Sequence, residues 1–382
     1  MAVTESGRFS ALWKTDITAS FFGSPLYTVR ITEPRFRSNY KNDMQSHGGA
    51  MKKTSLSIFS ALALSVGLQL ATPPAFAADY GLAVDAAMRQ DYKTAFREFK
   101  ALADDGMAAA QFNLALLYHH GRGVETDIPM AAKYYAMAAE RGHASAQNNL
   151  GSLYRRGEGI EQDYEKAAFY YNQAKDSIDV AKANLAYLHR YGLGVEKSNA
   201  KAFQYYQEAA KNGHAQSIFE LGRLYEKGRG AEKDIDKAME MYKQAARKNY
   251  PQAQYLLGEF HHKGTFVKQD YEQAERWYRF AMNQNYVSAY FGMAQLYRDG
   301  TGVSKDPKEA MRLFHAASNR GDRRAPFEIG VMYETGIGVD ADKGEALKWY
   351  SVAMKRDYNP ARAKVKELGG DVTENPRAPA AS

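Results

Sequence analysis

Two histidine pairs are the first residues in this sequence whose type and spacing could support chemistry. They are His119-His120 and His261-His262, and imidazole nitrogens are common ligands of transition metals. Adjacent residues on a helix do not share a face, so neither pair can present both rings to one ion from within a helix. We therefore expect solvated or hydrogen-bonded histidines, with a weak metal contact as the alternative, and we assign no metal ligand.

Short Gly-x-Gly pairs, of which Gly121 and Gly123 form the first, are the second candidate because glycine-rich loops can cradle phosphates. None of the pairs has the third glycine of a dinucleotide-binding fingerprint, and no phosphate-loop, zinc-protease or nucleophile-elbow motif occurs. The sequence has no cysteine, which excludes disulfides, thiolate ligands, a cysteine nucleophile and a lipid-modified N-terminal cysteine. These observations predict no catalytic residue, no cofactor and a protein that is not an enzyme.

The same glycines mark a repeat that runs through most of the 382 residues. Successive copies lie 36, 35, 36, 36, 36 and 36 residues apart. A second glycine follows two residues later in every copy except one, where Phe266 replaces it, and a helix-capping residue follows four residues after that. Three position classes in one register indicate one structural unit read seven times. The first glycines are Gly121, Gly157, Gly192, Gly228, Gly264, Gly300 and Gly336, and the capping residues are Asp127, Asp163, Ser198, Asp234, Asp270, Asp306 and Asp342.

Each unit is predicted to contain two helices. The second helix starts at the capping Asp or Ser, whose side chain can accept hydrogen bonds from free backbone N–H groups. Asp306 and Glu309 form such a start, and alanine and aromatic residues recur at helical spacing, as in Ala131 and Tyr135. The helix is expected to end at a residue that tolerates positive φ. Ile178 breaks that series in the copy that is one residue short, so we expect a different turn there.

The first helix of each unit is written Leu-x-x-Leu-Tyr-x-x-Gly-x-Gly-Val, as in residues 114–124, and its small residues leave room for aromatic side chains of the second helix. Together the motifs resemble the Sel-one-like repeat (SLR) family, a relative of the tetratricopeptide repeat, over about Tyr80 to Leu368. The resemblance implies an all-α fold, an α-solenoid that winds as a right-handed superhelix of helix-turn-helix repeats, with the first helices lining a concave groove. We expect residues 78–368 to form this single domain, with a degenerate first unit around Asp91 and a capping helix from Asn359.

The two ends of the chain have a different character. A basic start at 51–53, a mostly apolar stretch at 58–70 and an Ala-Phe-Ala sequence at 75–77 have the layout of a secretory signal peptide. We predict a signal peptide at 51–77, cleaved between Ala77 and Ala78, with residues 1–50 an artefact of gene-start assignment and 369–382 a disordered tail. The apolar stretch is too short for a transmembrane anchor. Loss of residues 1–77 lowers the net charge from +7 to +3, which argues against nucleic acid as a partner.

Positions on the first helix that the repeat leaves variable are the candidates for partner binding. By the geometry that the resemblance implies, some of these side chains face the concave groove. Earlier copies are basic and aromatic at these positions and later copies are more acidic, so an extended peptide or acidic segment could bind the basic part. A merely solvated surface is the alternative. The candidate partner-binding residues are Arg155, Arg156, Tyr187, Arg190, Tyr191, Arg223, Glu226 and Glu259.

The resemblance also bears on function, because members of the family act in bacterial envelope signalling, surface polysaccharide control, motility and host contact. We predict a non-enzymatic, periplasmic or secreted scaffold or regulator that binds a segment of a protein partner in its groove. One alternative is a peptidoglycan or glycan binder in which Tyr187 and Tyr191 stack on sugar rings. Another is an enzyme acting on β-lactam or peptidoglycan, like certain cysteine-rich relatives, although this chain lacks their cysteines.

Overall fold

The chain folds as a stack of helical hairpins, which confirms the predicted all-α solenoid. The computed structural model describes residues 79–373, and this part contains 17 α-helices and no strand. None of its helices is long and apolar enough to cross a membrane. The helices are α1 Tyr80–Met88, α2 Tyr92–Asp104, α3 Ala108–His120, α4 Ile128–Glu140, α5 Ala144–Arg156, α6 Tyr164–Ala174, α7 Asp179–Tyr191, α8 Asn199–Lys211, α9 Ala215–Lys227, α10 Ile235–Arg247, α11 Pro251–Lys263, α12 Tyr271–Asn283, α13 Val287–Asp299, α14 Pro307–Asn319, α15 Ala325–Thr335, α16 Lys343–Lys355 and α17 Pro360–Glu367.

The seven units are the successive pairs from α3–α4 to α15–α16, and contacts run within each pair and onward to the next. Helices α1 and α2 form the degenerate first unit that the sequence predicts, and Asp91 caps α2 by accepting from the Thr94 N–H. Helix α17 is the predicted capping helix. The predictions on residues 1–50, on the signal peptide at 51–77 and on most of the tail at 369–382 concern residues outside the described part of the chain. Residues 369–373 still contact the core, since Val372 packs against the last cluster and its carbonyl accepts from Arg362.

The two helices of each unit meet through a hydrogen bond that recurs in all seven copies. The backbone N–H of the residue that caps the second helix donates to the carbonyl of the first-helix aromatic residue, as Asp127 does to Tyr118 at 3.0 Å and Ser198 does to His189 at 2.8 Å. The side chain of the same capping residue accepts from the N-terminal turn of the second helix, as Asp127 does from Met130. One residue thus fixes both the start of a helix and its distance from its partner.

Glycine is required where neighbouring units touch. A Cβ at Gly123 would lie 2.2 Å from the Tyr92 carbonyl oxygen of the preceding unit, and Gly123 also has a φ of +74°. The equivalent residue Phe266 has a φ of +63°, which is rarely adopted by a bulky side chain. Phe266 is nearly half exposed, and its ring packs edge-on against Phe260 at 5.2 Å. The seam between the fourth and fifth units is therefore irregular, because Phe266 replaces the second glycine there.

The core alternates large and small side chains, as predicted. Tyr242 is fully buried, and a Cβ at Gly222 on the first helix would lie 2.7 Å from its ring. The same arrangement pairs Gly330 with Tyr350. Close approach of the helices depends on these glycines, because the tyrosine ring occupies the space that a larger residue would need. The fully buried tyrosines are Tyr135, Tyr171, Tyr242, Tyr278 and Tyr350, with Tyr206 at 2% exposure.

Two units depart from the regular length. Helix α6 has 11 residues, and the chain leaves it through a turn in which Ser177 and Ile178 both donate to the Ala174 carbonyl, which confirms the different turn expected there. Helix α15 also has 11 residues, and a turn held by Asp322 and Arg324 precedes it. This second departure was not expected from the repeat pattern.

The first helices lie on the inner side of the curved stack. The Arg324 guanidinium approaches the Tyr255 hydroxyl to 3.5 Å, although 69 residues and one whole unit separate them. Two units that have another unit between them can touch only on the inner side of a curved stack. The same guanidinium lies 4.1 Å from the centre of the Phe291 ring and pairs with Asp322 at 2.6 Å. Arg324 therefore ties the fifth, sixth and seventh units together on the inner face.

Candidate functional site on the first-helix face

The predicted partner-binding residues lie on four consecutive first helices. Helices α5, α7 and α9 bring five of them into one chain of contacts, which we call the Tyr-Arg cluster: Arg155, Tyr187, Arg190, Tyr191 and Arg223, joined by Glu220. Three other predicted residues lie outside it, namely Arg156, Glu226 and Glu259.

Two exposed tyrosines form the accessible part of the cluster. Tyr187 and Tyr191 lie one turn apart on α7, are 38% and 50% exposed, and have ring centres 4.8 Å apart. The Arg155 guanidinium on α5 lies 5.5 Å from the Tyr187 ring centre, and that of Arg190 lies 5.4 Å from the Tyr191 ring centre. Each ring is therefore held by a cation at cation–π distance while part of its surface stays open to a partner.

Arg190 is not the exposed groove cation that the sequence suggests. Its side chain is only 6% exposed, and its guanidinium donates to the Glu220 carboxylate on the next first helix. Arg223, which is exposed, lies 3.5 Å from the other oxygen of the same carboxylate. Arg190 thus positions Tyr191 and Glu220, and the exposed cation of the cluster is Arg223, while Arg155 is half-buried with its Nε withdrawn from solvent.

The first-helix position that contains Arg190 has a structural role that was not predicted from the sequence. Its side chain meets the hydroxyl of the core tyrosine 16 residues later: Glu226 accepts from Tyr242 at 2.7 Å, and His262 Nδ1 lies 3.2 Å from the Tyr278 hydroxyl. Burial would raise the pKa of Glu226, but hydrogen bonds from Lys227 and Tyr242 lower it overall. Burial, and then Glu226, raises the pKa of Tyr242. A polar residue stands 16 positions before a core tyrosine in six of the seven copies, the exception being Arg298 with Phe314, and this spacing was the signal in the sequence.

The remaining predicted residues form ion pairs with side chains that are close to them in the sequence. Glu259 accepts from Lys263 one turn later at 2.7 Å, so it is not an open acidic contact. Arg156 pairs with Glu158 at 2.7 Å in the loop after α5. The later, acidic part of the groove is therefore largely neutralised within the chain, which leaves the cluster as the accessible charged and aromatic surface.

The histidine pairs show no arrangement suited to a metal. His119 lies 3.8 Å from the Glu158 carboxylate, and burial lowers the pKa of both His119 and His262. Among residues 79–373, no group of three or more histidine, aspartate and glutamate side chains is placed to hold an ion.

Comparisons with known proteins agree with the repeat pattern. The family model described as Sel1 repeat matches seven consecutive segments, at 108–143, 144–177, 180–214, 215–250, 251–286, 287–322 and 325–358. No curated protein matches the chain.

Two solved structures share the architecture. One is a protective antigen of uropathogenic Escherichia coli strains that displays an SLR fold, with 27% identity and a TM-score of 0.60 over 72% of this chain and 59% of that one. The other is a Sel1 repeat protein from Oxalobacter formigenes, with 28% identity and a TM-score of 0.57 over 62% of this chain and 94% of that one. The chain thus spans less than two thirds of the length of the first protein.

Proposed function

The chain belongs to the Sel1 repeat family, and from this premise we propose that it is a non-enzymatic scaffold that binds a partner protein on the Tyr-Arg cluster. Sel1 repeat proteins generally mediate protein–protein interactions. The observation that carries the proposal is the exposed Tyr187–Tyr191 pair, flanked by Arg155 on one side and Arg190 on the other. Tyrosine and arginine are the residue types that dominate the energetics of protein interfaces.

The charges of the cluster indicate the kind of segment that fits. Arg223 is an exposed cation, Arg155 is a half-buried one beside it in the cluster, and Glu220 is already shared between two arginines. A carboxylate of a partner can pair with Arg223 or Arg155 while apolar side chains pack on the tyrosine rings. An extended segment with acidic and apolar residues therefore complements the cluster.

Peptide selection tests this proposal. A displayed peptide library is selected on the wild-type protein, and the recovered peptides are measured against Tyr187→Ala/Tyr191→Ala and against Arg223→Glu. We expect peptides rich in Asp and Glu whose affinity falls at least about tenfold, or 1.4 kcal/mol, in both variants. Phe169→Ala is the control, because Phe169 is an equally exposed aromatic residue, at 56%, on a second helix. Peptides that bind all four proteins equally would contradict the proposal.

A glycan partner is the second candidate, because the same exposed tyrosine pair could stack on sugar rings. Co-sedimentation with purified peptidoglycan separates the two. Sedimentation that requires Tyr187 and Tyr191 but not Arg223 would favour the glycan. Turnover of a β-lactam or a muropeptide by the pure protein would overturn the non-enzymatic assignment.

We also propose that the protein is exported and acts in the periplasm or outside the cell. The support is the signal-peptide pattern at 51–77. Mass spectrometry of the protein recovered from the periplasm of an expressing bacterium gives the mature N-terminus. An N-terminus at Ala78 is expected, and one well before it would refute the proposal.

A further inference from the structure

The seam between the fourth and fifth units contains a cavity that is bordered by the second helices of both units. The cavity has a volume of about 240 Å³. It lies among the second helices α10 and α12 and the first helix α11 between them. Its lining consists of Lys243, Arg247, Leu257, His261, Gln273 and Trp277.

The fifth unit lacks a ring stack that the first three units share. In those units the aromatic residue near the end of the first helix stacks on the second helix, as Tyr118 does on Tyr134 with centres 5.9 Å apart and Tyr154 does on Tyr170 with centres 5.8 Å apart. His261 and Trp277 occupy these positions in the fifth unit, and both line the cavity. Trp277 packs edge-on against Phe280 at 5.8 Å instead.

Two cations border the opening, and neither has an ion-pair partner among residues 79–373. Lys243 and Arg247 lie one turn apart on α10, and both are exposed. Like charges at this spacing repel and destabilise a helix. Asp236 and Glu240 border the adjoining groove on α10 together with both cations, and neither carboxylate lines the cavity itself.

His261 contributes shape but little charge. Burial lowers its pKa; Asp270 raises it and Lys243 lowers it further, and the net shift is downward. At neutral pH the charge of the cavity is therefore that of Lys243 and Arg247. A bound anion would offset their repulsion, which is the electrostatic reason for an anion to bind here.

From this geometry we propose that the cavity binds a small carboxylate that carries an aromatic ring, with the carboxylate on Lys243 and Arg247 and the ring against Trp277. Its volume is below the roughly 300–1,000 Å³ of sites for larger ligands, so the occupant is a compact molecule or the terminal residue of a longer one. An aromatic residue at the C-terminus of a peptide and a free aromatic acid share this chemistry. The site is independent of the partner-binding proposal, because its residues lie on other helices.

Titration calorimetry on the whole protein tests the site with N-acetylphenylalanine, its C-terminal amide, phenylacetate and acetate. We expect saturable binding of the two ring-bearing acids and at least about tenfold weaker binding of the amide and of acetate. Equal affinity for the two acids identifies a free acid as sufficient, and tighter binding of N-acetylphenylalanine favours a peptide terminus; either result supports the site.

Matched variants locate the binding. Arg247→Glu should weaken N-acetylphenylalanine at least about tenfold, while Lys211→Glu, at the equivalent exposed position of α8, should leave the affinity unchanged. Trp277→Leu should weaken both acids and leave acetate unaffected. No saturable binding by the wild type, or equal binding by Arg247→Glu, would overturn the proposal. Thermal melting of each variant confirms that it is folded.

Discussion

Arg190 on α7 donates a hydrogen bond to the carboxylate of Glu220 on α9, and so joins two first helices that belong to neighbouring units. The two residues are 30 positions apart, and the pair is largely withdrawn from solvent. The same 30-residue spacing recurs in two later pairs. Arg298 with Glu328 has the charges in the same order, and Glu334 with Lys364 has them reversed.

Breaking this pair should destabilise the solenoid. We expect Arg190→Met to lower the free energy of unfolding by about 1.5–3 kcal/mol, because a hydrogen bond to a charged and buried carboxylate is lost. Arg97→Met is the control, since Arg97 is 72% exposed and its pair with Glu98 should contribute under about 1 kcal/mol. Urea unfolding measures both. Because the reversed order occurs at Glu334 and Lys364, the double variant Arg190→Glu/Glu220→Arg should recover part of the loss, and no recovery would show that packing rather than pairing fixes Arg190.

Replacing a first-helix glycine by alanine should destabilise the fold, although the side chain grows by only one methyl group. Alanine normally stabilises a helix relative to glycine by roughly 0.5–1 kcal/mol. At Gly222 the added Cβ would lie 2.7 Å from the Tyr242 ring, so we expect Gly222→Ala to destabilise by about 1–3 kcal/mol instead. Gly344→Ala, where only a side-chain oxygen of Asp342 lies within 4 Å, is the comparison. Thermal melting curves that shift in the same direction for both variants would contradict the packing argument.

Phe266 should make the fold less stable than a glycine at the same position would. Its φ of +63° stores strain of about 1–3 kcal/mol, although its ring contact with Phe260 offsets part of this. Phe266→Gly is therefore expected to raise the urea midpoint of unfolding. The reverse change at the equivalent position, Gly302→Phe, should lower it strongly, because a Cβ there would lie 2.5 Å from the Tyr271 carbonyl oxygen. A Phe266→Gly variant less stable than the wild type would mean that the phenyl contact outweighs the backbone strain.

The carboxylate of Glu334 should make part of the stability depend on pH. Hydrogen bonds from Tyr350 and then Lys364 lower the pKa of Glu334 below its usual value of 4.5. A lowered pKa in the folded state gives stability that is present above the unfolded value and is lost as pH falls through the folded value. The wild type should therefore exceed Glu334→Gln in stability at pH 7, and the gap should narrow as the pH falls below 4.5. Glu272→Gln, an exposed change on α12, serves as control; a gap that stays constant with pH would remove the carboxylate from the explanation.

The sequence indicated the regular part of the fold because that part depends on local chemistry. Asp127 and its six equivalents cap helices through their own side chains, and Gly121 and its equivalents end first helices in the left-handed region. Such signals act within a few residues, so the 36-residue period, the helix order and the broken turn at Ile178 could be predicted. The exposure of Tyr187 and Tyr191 was also consistent with their place on the first helix.

Tertiary structure alone decided which variable side chains remain accessible. Arg190 and Arg223 both occupy positions that the repeat leaves free, yet one is buried against Glu220 and the other is exposed. The difference arises from the adjoining unit, 30 residues away, and from the curvature that brings Arg324 to Tyr255 across a whole unit. Helical periodicity specifies the face on which a residue lies, but the packing of neighbouring units determines which groups on that face have already found a partner.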